Sequence, residues 1–286
     1  MTEHRRETPD GRATDHDREE SADATVETPV QAGDPAEFDD GRYLYCVVAD
    51  DEATVSTTGI NDGEVFPVRV AGLTAFVGRC HSLYDASNPE TIRRWLVQHQ
   101  GVVDAAGEAA GTPLPFRFDT VIVGGDEAVR DWLRENADAL ADALERFAGR
   151  WEYRMEVIWD ESRLEERLAD GNDPDERDLS EGRAFLEEQR REQQLRERIR
   201  EYREERARAI SDQLESIAGE IERVRRSSAP LVTEADSDGP SVTFAVLTAA
   251  EHEETLGEFL ESVASPDGVR VRFTGPWPPY TFAPTI

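Results

Sequence analysis

The sequence predicts an α+β fold made of two ferredoxin-like (split βαβ) domains, the second with a long helical insertion, preceded by a disordered acidic tail. Strand-like and helix-like segments alternate in the order β-loop-β-β-α-β and then α-β-α-α-β-α-β. One helical segment is much longer and more charged than the others, and the beginning of the chain is nearly free of large apolar residues. The predicted parts are the tail 1–40, an N-terminal α/β domain 41–123, and a C-terminal domain 124–286 with its helical insertion 160–228.

The tail 1–40 is expected to be disordered. It holds 13 acidic residues and four arginines, and its first aromatic residue is Phe38. A segment of this composition cannot bury enough apolar surface to offset the entropy lost on ordering. We therefore expect the fold to begin near Arg42.

The first half is predicted to contain one helix among several strands. Tyrosine and valine are enriched in 42–49, as is typical of a strand. Ala71-Gly72 between two strand-like runs predicts a hairpin turn. Pro89, after Ser87-Asn88, has the position of a first helical residue. The predicted segments are strands 42–49, 65–70, 73–79 and 114–123 and the helix 89–109, with a polar loop up to Gly63 in place of an early helix.

The second half is predicted to begin with a helix opened by Gly124-Gly125-Asp126. Its apolar residues keep helical spacing up to Ala148. Because strand 114–123 could join either sheet, the sequence leaves open which half takes this helix, and the boundary is placed near 124. The predicted segments are helices 126–148, 160–169, 180–227 and 250–263 and strands 151–159, 241–247 and 268–274.

The longest predicted helix has a sparse apolar seam and two alternative roles. Between 180 and 226 it holds 12 acidic residues and 12 arginines, and pairs such as Glu192–Arg196 support it locally. The seam covers too few heptads for an assured coiled coil, so the helix either packs along its own domain or projects to bind a partner. Nucleic acid is not expected, because equal numbers of acids cancel the attraction to phosphate. The seam consists of Leu195, Ile199, Tyr202, Leu214, Ile217, Ile221 and Val224.

A proline-rich strap follows the last predicted strand. Its three prolines lack backbone donors and fix φ, which predicts an extended segment outside helices and ladders. It either closes a core, with Trp277 in the core of the second domain and Tyr280 near the rim, or serves as a docking ligand, because Pro276 and Pro279 match P-x-x-P. The strap consists of Gly275, Pro276, Trp277, Pro278, Pro279, Tyr280 and Phe282.

Four stretches, in order along the chain, resemble the gas vesicle protein GvpF/GvpL family. They are 42–48 (RYLYCVV), 114–122 (LPFRFDTVI), 179–186 (LSEGRAFL) and 275–280 (GPWPPY). In the second stretch Asp119 stands where the family more often has glycine. The resemblance spans residues 42–282, and the length and the tail are most similar to the haloarchaeal L-type member.

The resemblance implies a non-enzymatic accessory and minor structural protein of gas vesicle assembly. Such a protein would contact the gas vesicle shell protein and other accessory gas vesicle proteins during nucleation and formation, in the cytoplasm or at the vesicle. The alternative is a small-ligand or nucleotide-sensing module, because paired ferredoxin-like domains serve that role in other proteins; this rests on fold analogy alone.

The composition points to a cytoplasmic protein of an extreme halophile. The formal charge is −30 at pH 7, and all 32 basic residues are arginine. At molar salt the Debye length falls to about 3 Å, so repulsion among the carboxylates is screened. No run approaches the roughly 18 to 20 apolar residues of a membrane helix, so a lipid membrane is not an expected partner. Met1–Arg6 lacks the apolar region of a signal peptide.

The sequence offers no candidate catalytic, cofactor-binding or metal-ligating residues. His99 and His252 lie on different predicted helices without a second ligand four residues away. His81 follows Cys80, and adjacent strand residues point to opposite faces, which disfavours a nucleophile–base pair. Gly124-Gly125 before a helix could offer donors to an anion, but a plain turn is the simpler interpretation. We therefore expect neither an enzyme nor a bound cofactor.

Overall fold

Two antiparallel sheets with the same strand order organise the described part of the chain. The computed structural model describes residues 38–169, 181–224 and 239–286. Within them, strands and helices alternate as an α+β fold, which confirms the predicted class. The tail that is predicted to be disordered lies outside the described residues, apart from residues 38–40.

The first sheet has the strand order β2-β3-β1-β4, and β5 also pairs with β1. Ala71 and Gly72 between β2 and β3 have φ values of 51° and 84°, the left-handed conformation that a two-residue hairpin turn requires. A single 3-10 turn, Ile60–Asp62, stands where a first helix would be expected. The strands are β1 Gly41–Val48, β2 Val65–Val70, β3 Leu73–Cys80, β4 Leu114–Pro115 and β5 Val121–Val123.

The predicted continuous strand 114–123 is wrong, because the chain bends between β4 and β5. Asp119 has a φ of 68°, the left-handed region that aspartate tolerates better than most residues. Its backbone N–H donates to the Tyr43 hydroxyl at 3.0 Å, and its carboxylate accepts from the Tyr84 N–H at 2.9 Å. Residue 119 is therefore a left-handed bend held by two hydrogen bonds, in a backbone conformation that glycine adopts most readily.

Helices cover both faces of the first sheet. Helix α1, Pro89–Ala110, begins at Asn88, whose side chain accepts from the Glu90 N–H. It packs against Tyr43 and Tyr45 of β1. A bulge between Leu44 and Cys46 interrupts the alternation of β1, so Tyr45 and Cys46 both belong to the cluster on the α1 side. All eight residues of β1 are buried.

The opposite face of the first sheet packs against a helix pair. The predicted helix 126–148 divides at Asn136 into α2, Asp126–Glu135, and α3, Ala137–Phe147. Both contribute buried residues to the cluster under Leu44. This packing answers the question that the sequence left open, because the pair belongs with the first sheet. The predicted boundary near 124 would separate the pair from that sheet, and the division into domains stays a prediction.

The second sheet has the order β7-β8-β6-β9. One of its faces packs against helices through Tyr153, Met155 and Val157 of its central strand. Its strands are β6 Arg150–Trp159, β7 Glu220–Val224, β8 Ser241–Ala249 and β9 Val269–Trp277, and its helices are α4 Glu161–Leu168, α5 Glu181–Ala218 and α6 Glu253–Ala264.

The prediction of one helix to residue 227 is wrong, because α5 ends at Ala218 and a strand follows. Gly219 has a φ of +79°, the left-handed conformation in which glycine commonly ends helices. Strand β7 then pairs antiparallel with β8. Ile221 and Val224, predicted on the helix, therefore lie on β7.

The second face of the second sheet lies against the first half of the molecule. Glu152, Arg154 and Glu156 alternate along this face of β6, and all three are buried. Leu247, the cross-strand partner of Glu152, packs into the same buried cluster as Leu44 of the first sheet. Residues Pro35–Ile286 accordingly form one compact unit. The C-terminal strap crosses this junction between the two sheets.

Candidate interaction site at the C-terminal strap

The strap begins inside the sheet rather than beyond it. Thr274 pairs with Arg154, the register then shifts, and Trp277 pairs with Glu152. The prediction that the prolines exclude ladder pairing is therefore wrong for Pro276, which lies within β9. Gly275 has a φ of +132°, and a Cβ there would lie 2.9 Å from the Glu152 carbonyl oxygen. A residue with a side chain would clash with the backbone of β6, so the close approach requires glycine.

A buried carboxylate anchors the strap to the second sheet. The Glu152 side chain is fully buried. Its Oε2 accepts from the Thr281 backbone N–H at 2.7 Å, and its Oε1 accepts from the Thr281 hydroxyl at 2.8 Å. The Arg154 guanidinium donates to the same Oε1 at 2.7 Å. Because a buried charge is costly unless it is paired and hydrogen-bonded, this arrangement favours one fixed position of the strap.

Of the two aromatic residues that were expected to anchor the strap, Trp277 lies differently from the prediction. Trp277 is partly exposed and belongs to none of the buried clusters, and its indole N–H donates to the Thr274 hydroxyl at 3.3 Å. Tyr280 has its hydroxyl buried, without a hydrogen-bond partner among the described residues. Burial raises the Tyr280 pKa well above its usual value, because the phenolate would lose its hydration. The prediction that Trp277 lies in the core of the second domain is therefore wrong, because its side chain is partly exposed.

The last residues of the strap pack on the first half. Pro278 and Pro279 are buried. The chain turns after them, because the Ala283 N–H donates to the Pro279 carbonyl at 2.9 Å. Phe282, followed by Ala283 and Ile286, then packs against the cluster under the first sheet. The strap therefore starts on one sheet and ends in the core of the other.

A histidine lies near the strap in an aromatic cluster of the first half. His99 on α1 is buried, and its ring lies 6.3 Å from that of Tyr280. The Tyr43 hydroxyl accepts from the Asp119 N–H, so it donates to Nδ1 of His99 at 2.9 Å. Nε2–H then donates to the Phe116 carbonyl at 3.1 Å. Burial lowers the pKa of His99 to about 4, so the ring is neutral at pH 7.

The predicted seam of the long helix faces the second sheet. Ile199 and Leu214 are buried in its core. The sequence missed two further buried positions, Ala207 and Ile210, because the seam shifts there from one helical row to the next. A partner could not reach these side chains in the folded chain. The remaining predicted positions packed against that core are Leu195, Tyr202, Ile217 and, on β7, Ile221.

Two features of the described residues escaped the sequence prediction. The first is the anchor formed by Glu152, Arg154 and Thr281, because charges alternating with apolar residues on a strand indicate a solvated face. The second is an exposed apolar pair at the start of α5, Phe185 and Leu186. The signal for the pair was present, since both residues lie in a stretch that resembles related sequences.

The described ranges contain no group of three or more histidine, cysteine or acidic side chains placed to hold a metal ion. None of the helices described in 38–169, 181–224 and 239–286 is both long enough and apolar enough to cross a membrane.

Comparison with known proteins gives consistent matches over most of the chain. The family model described as gas vesicle synthesis protein GvpL/GvpF matches residues 41–284. The chain is 40% identical over 271 residues to gas vesicle protein L1 of Halobacterium salinarum, which covers 91% of this chain and 96% of that protein. It is 34% identical to gas vesicle protein L of Haloferax mediterranei, over 96% of this chain and 98% of that protein.

Solved structures show the same fold. The crystal structure of the gas vesicle protein GvpF from Anabaena sp. PCC7120 matches with a TM-score of 0.67 and 23% identity, over 86% of this chain and 99% of that chain. GvpF from Microcystis aeruginosa matches with a TM-score of 0.63 and 22% identity over the same shares. At this identity the likeness concerns the arrangement of strands and helices.

Proposed function

Because the chain belongs to the gas vesicle synthesis protein GvpL/GvpF family, we propose that it is a non-enzymatic accessory and minor structural protein of gas vesicle assembly. It contacts the gas vesicle shell protein and other accessory gas vesicle proteins during nucleation and formation. It acts in the cytoplasm and at the vesicle, without binding nucleic acid or a lipid membrane. The observation that carries this proposal is the family match over 41–284, which includes both sheets and the strap.

We further infer that each sheet with its helices is a ferredoxin-like unit. Counted from the start of each half, both sheets have the strand order 2-3-1-4. The second half has the full succession β-α-β-β-α-β, in which α4 and α5 form the first helical connection. The first half has the same succession with the Ile60–Asp62 turn in place of its first helix. These two orders support the inference.

The strap is proposed to be structural rather than a docking ligand. A P-x-x-P ligand presents its prolines to a partner, whereas Pro279 is buried in its own chain. Both hydrogen-bonding groups of Thr281 engage Glu152, and Phe282 packs on the opposite half. We propose that the strap holds the two halves in one orientation and so keeps the surface for partners intact.

Complementation of a deletion strain tests the proposed function. The chromosomal copy is removed from a vesicle-forming haloarchaeon, and the full chain is returned on a plasmid. We expect the deletion strain to sink and to lack vesicles in electron micrographs, and the returned chain to restore both flotation and vesicles. Normal vesicles in the deletion strain, with no second copy of the gene present, would refute the proposed role.

Physical contact is tested separately in a high-salt lysate. The tagged full chain is purified in 3 M KCl from cells that produce the gas vesicle shell protein and each accessory protein one at a time. We expect the shell protein and at least one accessory protein to co-purify with the chain. An unrelated tagged acidic protein serves as the control. If it recovers as much of every candidate partner as the tagged chain does, the proposed contacts are excluded.

A further inference from the structure

The first turns of α5 form an exposed helix end. We call residues 183–194 the tip. Every side chain that the structure describes in the tip is exposed or partly exposed, and the first buried residue of the helix is Ile199. At 1.5 Å per residue, Arg183 lies roughly 24 Å along the helix axis from Ile199. The tip therefore presents its side chains to solvent on all sides.

The tip carries two neighbouring exposed apolar side chains. Phe185 is 61% exposed and Leu186 is 57% exposed. The other large apolar residues of comparable exposure in the described ranges, Val97 and Val123, stand singly on α1 and β5. Single exposed apolar residues are ordinary on protein surfaces. An adjacent phenylalanine and leucine at the projecting end of a helix instead resemble the anchor of a helix-to-helix contact.

The arginines of the tip, Arg183, Arg190 and Arg191, have no salt-bridge partner among the described side chains. Further along the same helix, Arg196 pairs with Glu192 at 3.2 Å and Arg200 pairs with Glu197 at 2.5 Å. Arg183 and Arg190 are separated from Leu186 by three and four positions, so they share its face of the helix. Two free guanidinium groups therefore flank an exposed leucine.

The balance of charge distinguishes the tip from the rest of the molecule. The tip holds three arginines and three glutamates, whereas the whole chain has a formal charge of −30. An acidic protein is repelled by most of the surface but not by the tip. A basic partner would be attracted to many other places and would have no reason to choose this one. The tip as a whole has no net charge, so the attraction to an acidic partner comes from the guanidinium groups of Arg183 and Arg190 beside Leu186.

We propose that the tip is a docking surface for an acidic amphipathic helix of another gas vesicle protein. Phe185 and Leu186 pack against the apolar face of that helix, and its flanking carboxylates pair with Arg183 and Arg190. Bidentate pairs of arginine with carboxylate tolerate high salt better than long-range attraction, because screening acts mainly beyond a few ångströms. This inference rests on the proposed function, which supplies the class of partner, and it adds the surface and its chemistry.

Photo-crosslinking tests the tip directly. The full chain carries benzoyl-phenylalanine in place of Phe185, and matched controls carry it at Val97 or Val123, which are similarly exposed. Each chain is irradiated in vesicle-forming cells, and the crosslinked peptide is sequenced by mass spectrometry. We expect position 185 alone to crosslink strongly, to a segment of a gas vesicle protein with helical apolar spacing and more acidic than basic residues. A crosslink from position 185 to a non-acidic segment or to a second copy of this chain would overturn the proposal. A crosslink yield equal to that of the controls would do the same.

Charge variants test the second half of the proposal. Arg183→Gln with Arg190→Gln should lower the yield of the crosslink about tenfold, since arginine is enriched among the residues that carry most of the binding energy of an interface. Arg196→Gln with Arg200→Gln is the control, because both arginines already pair within the helix, and we expect the yield to stay within about twofold. Equal yields from the two pairs of variants would contradict the role of Arg183 and Arg190.

The double variant Phe185→Ser with Leu186→Ser separates failure of this inference from failure of the proposed function. Both side chains are exposed, so the melting temperature should stay close to that of the parent. We expect this variant to restore few or no vesicles in the deletion strain. Full restoration would reject the tip as a docking surface while leaving the proposed function intact. If vesicles form without the chain at all, the proposed function itself fails.

Discussion

The two sheets share a strand order but differ in how their faces are used. In the first sheet, β1 is buried along its whole length and is covered by α1 on one face and by α2 and α3 on the other. In the second sheet, β6 buries apolar residues under α5 and α6, but its other face carries Glu152, Arg154 and Glu156. One sheet is thus apolar on both sides, and the other is apolar on one side and charged on the other.

This difference explains why the strap has two kinds of attachment. At the second sheet it is held by hydrogen bonds to the Glu152 carboxylate, and at the first sheet by the apolar contacts of Phe282. Apolar contacts stabilise roughly in proportion to buried area and tolerate small shifts. A buried carboxylate with fixed donors tolerates few alternatives. We infer that the polar attachment sets the position of the strap and the apolar attachment adds stability.

The largest expected effect comes from removing the polar attachment. Glu152→Ala leaves the Arg154 guanidinium buried without its carboxylate and removes two acceptors from Thr281. Breaking a buried pair in this way typically costs about 3–5 kcal/mol. We expect a strongly lowered melting temperature in 3 M KCl. Glu222→Ala, an exposed carboxylate on β7 of the same sheet, is the control and should change stability by less than about 0.5 kcal/mol. Similar melting temperatures of the two variants would show that the polar attachment contributes no more to stability than an exposed carboxylate does.

The next effect tests the close approach of the strap to β6. Gly275→Ala places a Cβ 2.9 Å from the Glu152 carbonyl oxygen, at a φ of +132°. Strain of this kind costs about 1–3 kcal/mol. Gly257→Ala on α6 is the matched control, because a Cβ there meets nothing within 4 Å and the helix should gain up to about 1 kcal/mol. Chemical denaturation of both variants gives the comparison, and a stabilised Gly275→Ala variant would show that the strap does not lie where described.

A pH effect of intermediate size is expected in the first half. The folded-state pKa of His99 is about 4, below the ordinary value of 6.5. As the pH falls, His99 is therefore protonated in the unfolded chain before it is protonated in the folded chain. The contribution of the neutral His99 to the free energy of unfolding is present above about pH 6.5 and is lost towards pH 4. Between pH 7.5 and 5 the loss should be about 2 kcal/mol. His99→Gln should lack this part of the pH dependence. Identical pH profiles of the parent and His99→Gln would mean that the buried neutral histidine is wrongly assigned.

The smallest effect concerns the unpartnered hydroxyl of the strap. Tyr280→Phe removes a buried hydroxyl that has no hydrogen-bond partner among the described residues, so stability should be unchanged or rise by up to about 1 kcal/mol. Tyr43→Phe is the contrasting variant, because its hydroxyl accepts from the Asp119 N–H and lies 2.9 Å from Nδ1 of His99. There we expect a loss of about 1–3 kcal/mol. Thermal melts of both variants measure these changes in stability. A clear loss of stability for Tyr280→Phe would show that the hydroxyl of Tyr280 has a hydrogen-bond partner.

Most elements of the fold were predictable because their signals are local. The hairpin at Ala71-Gly72 and the helix starting at Pro89 follow from turn and capping chemistry within a few residues. Strand β7 was missed because Ile217, Ile221 and Val224 are spaced by four and three positions, which is the helical period. Gly219 was the available signal, since glycine inside a helix costs about 1 kcal/mol relative to alanine.

The anchor of the strap was not predictable from the sequence for a physical reason. The alternation of Glu152, Tyr153 and Arg154 is the same whether the charged face meets water or another part of the protein. Only the packing of Leu247 and Phe282 into the first half decides that this face is buried. Long-range contacts of this kind leave no periodic trace. Trp277 was predicted to lie in the core only because its side chain is large, and nothing local in the sequence indicates that it lies at the surface.

The most direct test of the strap as the link between the halves is a double-mutant cycle. Glu152→Gln and Thr281→Val are made singly and together, and the free energies of unfolding are measured in 3 M KCl. Residues in direct contact show interaction energies of about 0.5–3 kcal/mol, whereas independent sites add within about 0.3–0.5 kcal/mol. We expect an interaction energy of at least about 1 kcal/mol between Glu152 and Thr281. Additive effects of the two substitutions would contradict it.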